Sequence, residues 1–218
     1  MFTKTAASAV ALAILAGTSA QAQSEASAYT DLNLRAGPGP MYEIIGLIPA
    51  DMVVSVAGCL EAASWCEVTY EGMTGWASGD YLVAMIDEAP QPIYVNRENM
   101  QIATAVYEDT TAQSAIVGGT MGAVIGTLIA GPIGGVVGAA VLGGNAAAND
   151  PGPQVTGYVL SNPVDPIYLE GEVVVGAGIP EEVVLMEVPE SEYSYAYVNG
   201  LPVVVERTGR RVVYIARQ

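Results

Sequence analysis

The chain contains no histidine. That removes the Ser-His and Cys-His nucleophilic arrangements and the common His-based zinc sites. Lysine occurs once, as Lys4, so six Arg face 23 Asp and Glu, and the net charge over 218 residues is −16. Phosphate backbones repel so acidic a chain, and no nucleic-acid partner is expected. Cysteine is almost as scarce. Cys59 and Cys66 are the only two, without the Cys-x-x-Cys spacing or basic neighbour of a redox pair. No residue set points to catalysis, a cofactor or a metal; the adjacent Glu181 and Glu182 carry no evidence of a shared cleft.

The N-terminus has the layout of a secretory signal. Lys4 precedes the apolar run Ala6 to Gly17, and Ala20-Gln21-Ala22 fits the small-residue cleavage rule. Residues 1–22 are therefore expected to be removed, and no Cys at the cut offers a lipid anchor. The mature chain belongs in the periplasm or cell envelope. In that oxidising compartment Cys59 and Cys66 are expected to form a disulfide.

Beyond the signal, short β-rich runs alternate with Gly/Pro turns over residues 29–84. An acidic linker is expected over 85–114, a charge-free apolar segment over 115–148, and a Pro-rich linker over 149–165. Residues 166–217 read as a β-meander. Within it, "YSYAYVNGLPVVVE" places Asn199-Gly200, a type I′ hairpin signal, between two alternating strands. That turn sets Tyr195 opposite Val204 and Tyr197 opposite Pro202. Pro202 has no amide hydrogen, so its strand is expected to leave that side free, as an edge does.

The run "LNLRAGPG" (Leu32 to Gly39), the Ile-Gly-x-Ile-Pro turn (Ile45 to Pro49) and Gly75-Trp76 resemble the bacterial SH3 domain. The resemblance implies a small non-catalytic β-barrel that often binds cell-wall peptides or peptidoglycan. Trp65, Trp76, Tyr42, Tyr70 and Tyr81 are its candidate groove aromatics. Trp76 is expected to fill the core, whereas Tyr42 and Trp65, on predicted loops, are the candidate ligand-binding residues. Gly37-Pro38-Gly39 is read as a tight turn.

The last module, through Gly176 to Val183, Tyr195 to Gly200 and Thr208 to Val213, resembles the domain of unknown function 1236. That implies a secreted context rather than an activity. Four of the six Arg fall here, Arg207, Arg210, Arg211 and Arg217, and are expected to pair with the module's own acids, Glu172 among them. The Tyr193, Tyr195, Tyr197 ladder is expected to be a packed strand face.

Between the modules, Gly118, Gly122 and Gly126 recur every fourth residue, and Gly134 and Gly138 resume the register. Such spacing places one small-residue groove along a helix and lets another backbone approach. It resembles the glycine zippers of envelope proteins. Each Gly costs about 1 kcal/mol relative to Ala in a helix interior, so a partner must offset the loss. Pro132 breaks the run into two short helices, and acidic flanks give no positive-inside signal.

The expected protein is mainly β: an SH3-like barrel and a β-meander module joined by a glycine-rich apolar helical segment. It is expected to be a non-enzymatic envelope protein binding peptidoglycan, a cell-wall peptide or an envelope protein. The zipper would serve membrane association or homo-oligomer formation. The alternative is a membrane-active oligomer that perturbs or bridges bilayers.

Overall fold

A computed structural model describes residues 24–107, 127–132 and 150–217. The expected signal, and Gly118, Gly122, Gly126, Gly134 and Gly138, lie outside the described residues. The chain is mainly β.

The first sheet has strands β1 (Ser24–Ala28), β2 (Leu32–Arg35), β3 (Ile44–Ile48) and β4 (Val53–Cys59), then β5 (Trp65–Tyr70), β6 (Met73–Ser78), β7 (Leu82–Ile86) and β8 (Ala89–Pro92). Their order is β3-β2-β6-β5-β4-β1-β7-β8. Alternation sends Leu32 and Leu34 of β2, Val54 and Val56 of β4, Val68 of β5 and Ala77 of β6 into a common core. Cys59 and Cys66 stand directly opposite each other on β4 and β5 and are bonded. On the loop-closure model that short ring is worth about 2.5 kcal/mol.

Residues 85–107, expected to be an acidic linker, are structured. Asp87 and Glu88 both take positive φ, 50° and 64°, and turn β7 directly into β8. An Asp-Glu pair lacks the glycine that usually announces such a turn. Beyond β8, Ile93 is fully buried in the core.

The second sheet contains β9 (Thr127–Pro132), β10 (Ile167–Glu170), β11 (Met186–Glu187), β12 (Tyr193–Val198), β13 (Leu201–Glu206) and β14 (Val212–Ile215). The order is β14-β13-β12-β10-β9, with β11 also on β12. The Asn199-Gly200 hairpin has φ of 53° and 83°, and Tyr195 faces Val204 while Tyr197 faces Pro202, as expected. Pro202, however, is not on an edge. Strand β13 lies between β12 and β14, and Pro202 sits where the β14 ladder ends, accepting the Ala216 amide through its carbonyl. A missing donor is tolerated there because the next ladder bond is not made.

Two expected connections also differ. Within the segment expected to be helical, residues 127–132 form β9, parallel to β10. Glycine weakens the helix, whereas Thr127-Leu128-Ile129 suits a strand and β10 offers an open side. In the expected Pro-rich linker, Pro153–Ser161 forms helix α1. Proline is suited to the first helical turn, where its missing N–H has no partner to lose.

The two faces of the second sheet have different neighbours. Ala196, Val198, Val203 and Val205 join the same hydrophobic cluster as the first sheet's core. Tyr195 and Val204 pack instead against Val155 and Val159 of α1. Tyr195 and Tyr197 donate their hydroxyls to Asn162 O (2.8 Å) and Val159 O (3.2 Å). The tyrosine ladder thus adds donors at the helix C-terminus, to Asn162 O just past the helix and to Val159 O, which also accepts the Asn162 amide at 3.3 Å.

Candidate functional site

Pairing fixes what lies on the outer face of the first sheet. Gly58 opposes Glu67, Glu67 opposes Trp76, and Trp76 opposes Arg35. These residues share a face because directly paired strand residues project to the same side. Asn33, two residues before Arg35 on β2, joins them. In an isolated SH3-like module this face would meet water. Here it is covered from two directions.

The second sheet covers the Arg35 end. Arg35 is 1% exposed, and Glu172 likewise. Arg35 donates from Nε to Glu172 Oε2 (2.5 Å) and from Nη2 to Glu172 Oε1 (2.8 Å). It also reaches Pro40 O, Tyr42 O and Asn199 O. Asn199 holds the hairpin turn in place by accepting from Leu169 N and donating to Gly171 O. Beside it, Arg217 Nη1 donates to Asn33 Oδ1 at 2.6 Å. Burial holds the Arg217 guanidinium below its ordinary pKa, while Asp31 and Glu172 act in the opposite sense. Burial, then the nearby Asp80 and Glu172 carboxylates, pushes the Tyr81 phenol up to about 12.

The chain's own connecting segment covers the Trp76 end. Cys59 N donates to Ala103 O (2.9 Å) and Ala105 N donates to Cys59 O (2.8 Å), a parallel bridge centred on Thr104. Gly58 permits this approach, since a Cβ there would sit 2.8 Å from Ala103 O. Two residues beyond Ala105, Tyr107 stands edge-on to both Trp76 (5.4 Å between ring centroids) and Tyr42 (5.7 Å).

The expected ligand residues are therefore rearranged. Tyr42 lies in the turn before β3 and is 7% exposed. The glycines of "GPG" serve its ring, for a Cβ on Gly37 would lie 2.4 Å from Tyr42 Cδ1 and one on Gly39 3.4 Å from the ring. Neither glycine has positive φ. Trp65 is not on a loop: it opens β5 opposite Ser78 and is buried. Tyr42 is joined not to Trp65 but to Trp76 and Tyr107. Trp76, expected in the core, projects away from it, because neighbouring Ala77 takes the inward position. Tyr81 is in the core and Tyr70 packs against it. Sequence reading missed Tyr107, hidden in a stretch taken for linker.

The four C-terminal arginines do not chiefly pair with local acids. Among the described residues only Arg207 comes within ion-pair distance of one, Glu187 at 4.0 Å. Arg210 donates to the carbonyls of Ile179, Pro180 and Val183, and Arg211 to that of Gly176. Glu172, grouped with those acids by sequence, pairs with Arg35 of the other sheet. Among the described residues no group of acids and cysteines is arranged to hold a metal ion.

Residues 30–83 match the model of the bacterial SH3 domain, and residues 158–217 match that of the domain of unknown function DUF1236. The chain carries a bacterial SH3 domain and a DUF1236 domain. It is also similar to a Bacillus subtilis (strain 168) protein named "Putative N-acetylmuramoyl-L-alanine amidase YrvJ", with 35% identity over 71 residues. That stretch is 32% of this chain and 13% of the relative. The SH3 domain thus contributes the Arg35 and Trp76 face, and the DUF1236 domain contributes Glu172, Asn199 and Arg217.

Proposed function

We propose that this is an exported, non-enzymatic cell-envelope protein whose SH3 domain binds peptidoglycan or a cell-wall peptide. The match of residues 30–83 to the bacterial SH3 domain carries the reading. The similarity to a protein named as a "Putative N-acetylmuramoyl-L-alanine amidase" supports the setting, as does the export-type N-terminus. Absence of histidine supports a binding role over an amidase-like one. The aromatic cluster of Tyr42 and Trp76 is the contact surface we assign, in place of Tyr42 with Trp65. Both rings are buried beneath Tyr107, and rings beside polar backbone suit a peptide or sugar stem once that residue is displaced.

The domains share one core, so the test uses the whole mature chain. Incubated with purified peptidoglycan and sedimented, it should be retained above an acidic control protein; equal retention would sink the wall-binding reading. The four-residue spacing of Gly118, Gly122 and Gly126, ahead of β9, supports self-association or membrane association of that stretch. Among the described residues no helix is long and apolar enough to cross a membrane. Replacing Gly122 and Gly126 with Leu should abolish any oligomer seen by sedimentation velocity.

A further inference from the structure

We propose that the outer face of the SH3 domain is a site for an extended peptide, and that residues 102–107 are its resident ligand. The contact has the two parts of strand-type peptide recognition: backbone pairing for affinity and a side-chain pocket for selectivity. Backbone pairing comes from Ala103 O and Ala105 N on Cys59. It extends β4 beyond Val56, the last β4 residue that β1 pairs. The pocket is the angle between Tyr42 and Trp76, filled by the Tyr107 ring.

The face is shaped for this occupant by residues outside the segment. Gly58 makes room for its backbone, and Gly37 makes room for the Tyr42 ring against which Tyr107 packs. Among the described residues two polar groups on the face are left over, Asn33 Nδ2 at the Arg217 end and Ser78 Oγ at the Trp76 end. Ser78, two residues after Trp76 and on the same side, is buried with its Oγ unpaired among the described residues. The segment meets the apolar part of the site and leaves this hydroxyl for a ligand with a polar group there. A ligand in trans must displace Tyr107, so segment and ligand are mutually exclusive, and apparent affinity falls with the open fraction.

For the natural ligand the inference rests on the wall-binding reading, and the experiment separates the two. Two variants of the mature chain open the site differently. Ala105→Pro removes the amide that bonds Cys59 and leaves every ring in place. Tyr107→Ala empties the pocket. Both tryptophans are buried, Trp65 at 4% and Trp76 at 5% exposure, so acrylamide quenching should rise severalfold in each variant with far-UV circular dichroism preserved. Unchanged quenching overturns the proposal. A synthetic peptide of residues 100–107 added to Tyr107→Ala should restore protection, and the same peptide with Ala for Tyr107 should not. Failure of the first peptide to protect shows the segment to be ordinary fold and also overturns it.

Peptidoglycan should bind Tyr107→Ala about tenfold more tightly than wild type, which corresponds to about 1.4 kcal/mol of segment docking. Equal, measurable binding of both forms overturns the competition. If neither form is retained, the wall-binding reading fails while peptide protection upholds the site.

Discussion

Arg35 carries five N–H donors, and the two to Glu172, two to the Pro40 and Tyr42 carbonyls and one to the Asn199 carbonyl use them all. Removing one member of such a buried pair strands the other, which typically costs 3 kcal/mol or more. Glu172→Gln should therefore lower stability by about 3 kcal/mol, read as a fall in the urea midpoint at unchanged m-value. Replacing both residues, Arg35→Met with Glu172→Leu, should not restore wild-type stability, because three backbone carbonyls lose their donor. Tyr81 gives a pH dependence at the same scale. Its phenol is raised from 10.0 to about 12, chiefly by burial. The folded state therefore holds its proton where the unfolded chain has lost it. This contribution is complete below pH 10 and is lost as pH rises toward 12. Tyr81→Phe should flatten the fall in stability over that window. Sequence showed an arginine closing the Leu-Asn-Leu-Arg strand, but not its partner 137 residues away.

Among the elements, α1 is the one whose position depends most on a few polar contacts. Apolar packing through Val155 and Val159 supplies its burial, and the Tyr195 and Tyr197 hydroxyls receive its last carbonyls. Tyr195→Phe keeps the ring and removes one of those bonds, so it should cost about 1 kcal/mol. Amide exchange should quicken in residues 153–162 while β4 and β5 are unaffected, which is the measurement that checks it. The hairpin register of β12 and β13 was legible from Asn199-Gly200, since a two-residue turn leaves one pairing. The β7–β8 hairpin was not, because Asp87-Glu88 adopts positive φ without glycine. Helix α1 was also missed: nine residues opening on Pro153 and containing Gly157 read as linker until a tyrosine face is there to receive them.

At the scale of the molecule, the two domains are not beads on a string. One hydrophobic cluster runs from Leu32, Val56 and Val68 to Leu169, Val198 and Val203, and the Arg35–Glu172 pair lies between them. A shared core couples their unfolding. Tryptophan fluorescence reports only the SH3 domain, since Trp65 and Trp76 are the chain's two tryptophans. Far-UV circular dichroism reports both domains. The two signals should give coincident urea transitions in the wild type; separate midpoints would show that the domains unfold independently. In Glu172→Gln both midpoints should fall together, since the shared core still couples the domains.

Local patterns by themselves determined the mainly-β class, the two domain families, the Tyr195–Val204 register and the Cys59–Cys66 bond. The class and the register depend on neighbours in sequence and on a two-residue turn, the two domains were legible as family resemblances, and the bond followed from two Cys in an expected oxidising compartment. Only the tertiary structure decided that Trp76 faces outward under Tyr107, and that Glu172 answers Arg35. It likewise decided that residues 127–132 pair with β10 as a strand. Those outcomes depend on which faces meet across long loops, and side-chain periodicity defines a face without naming what will cover it.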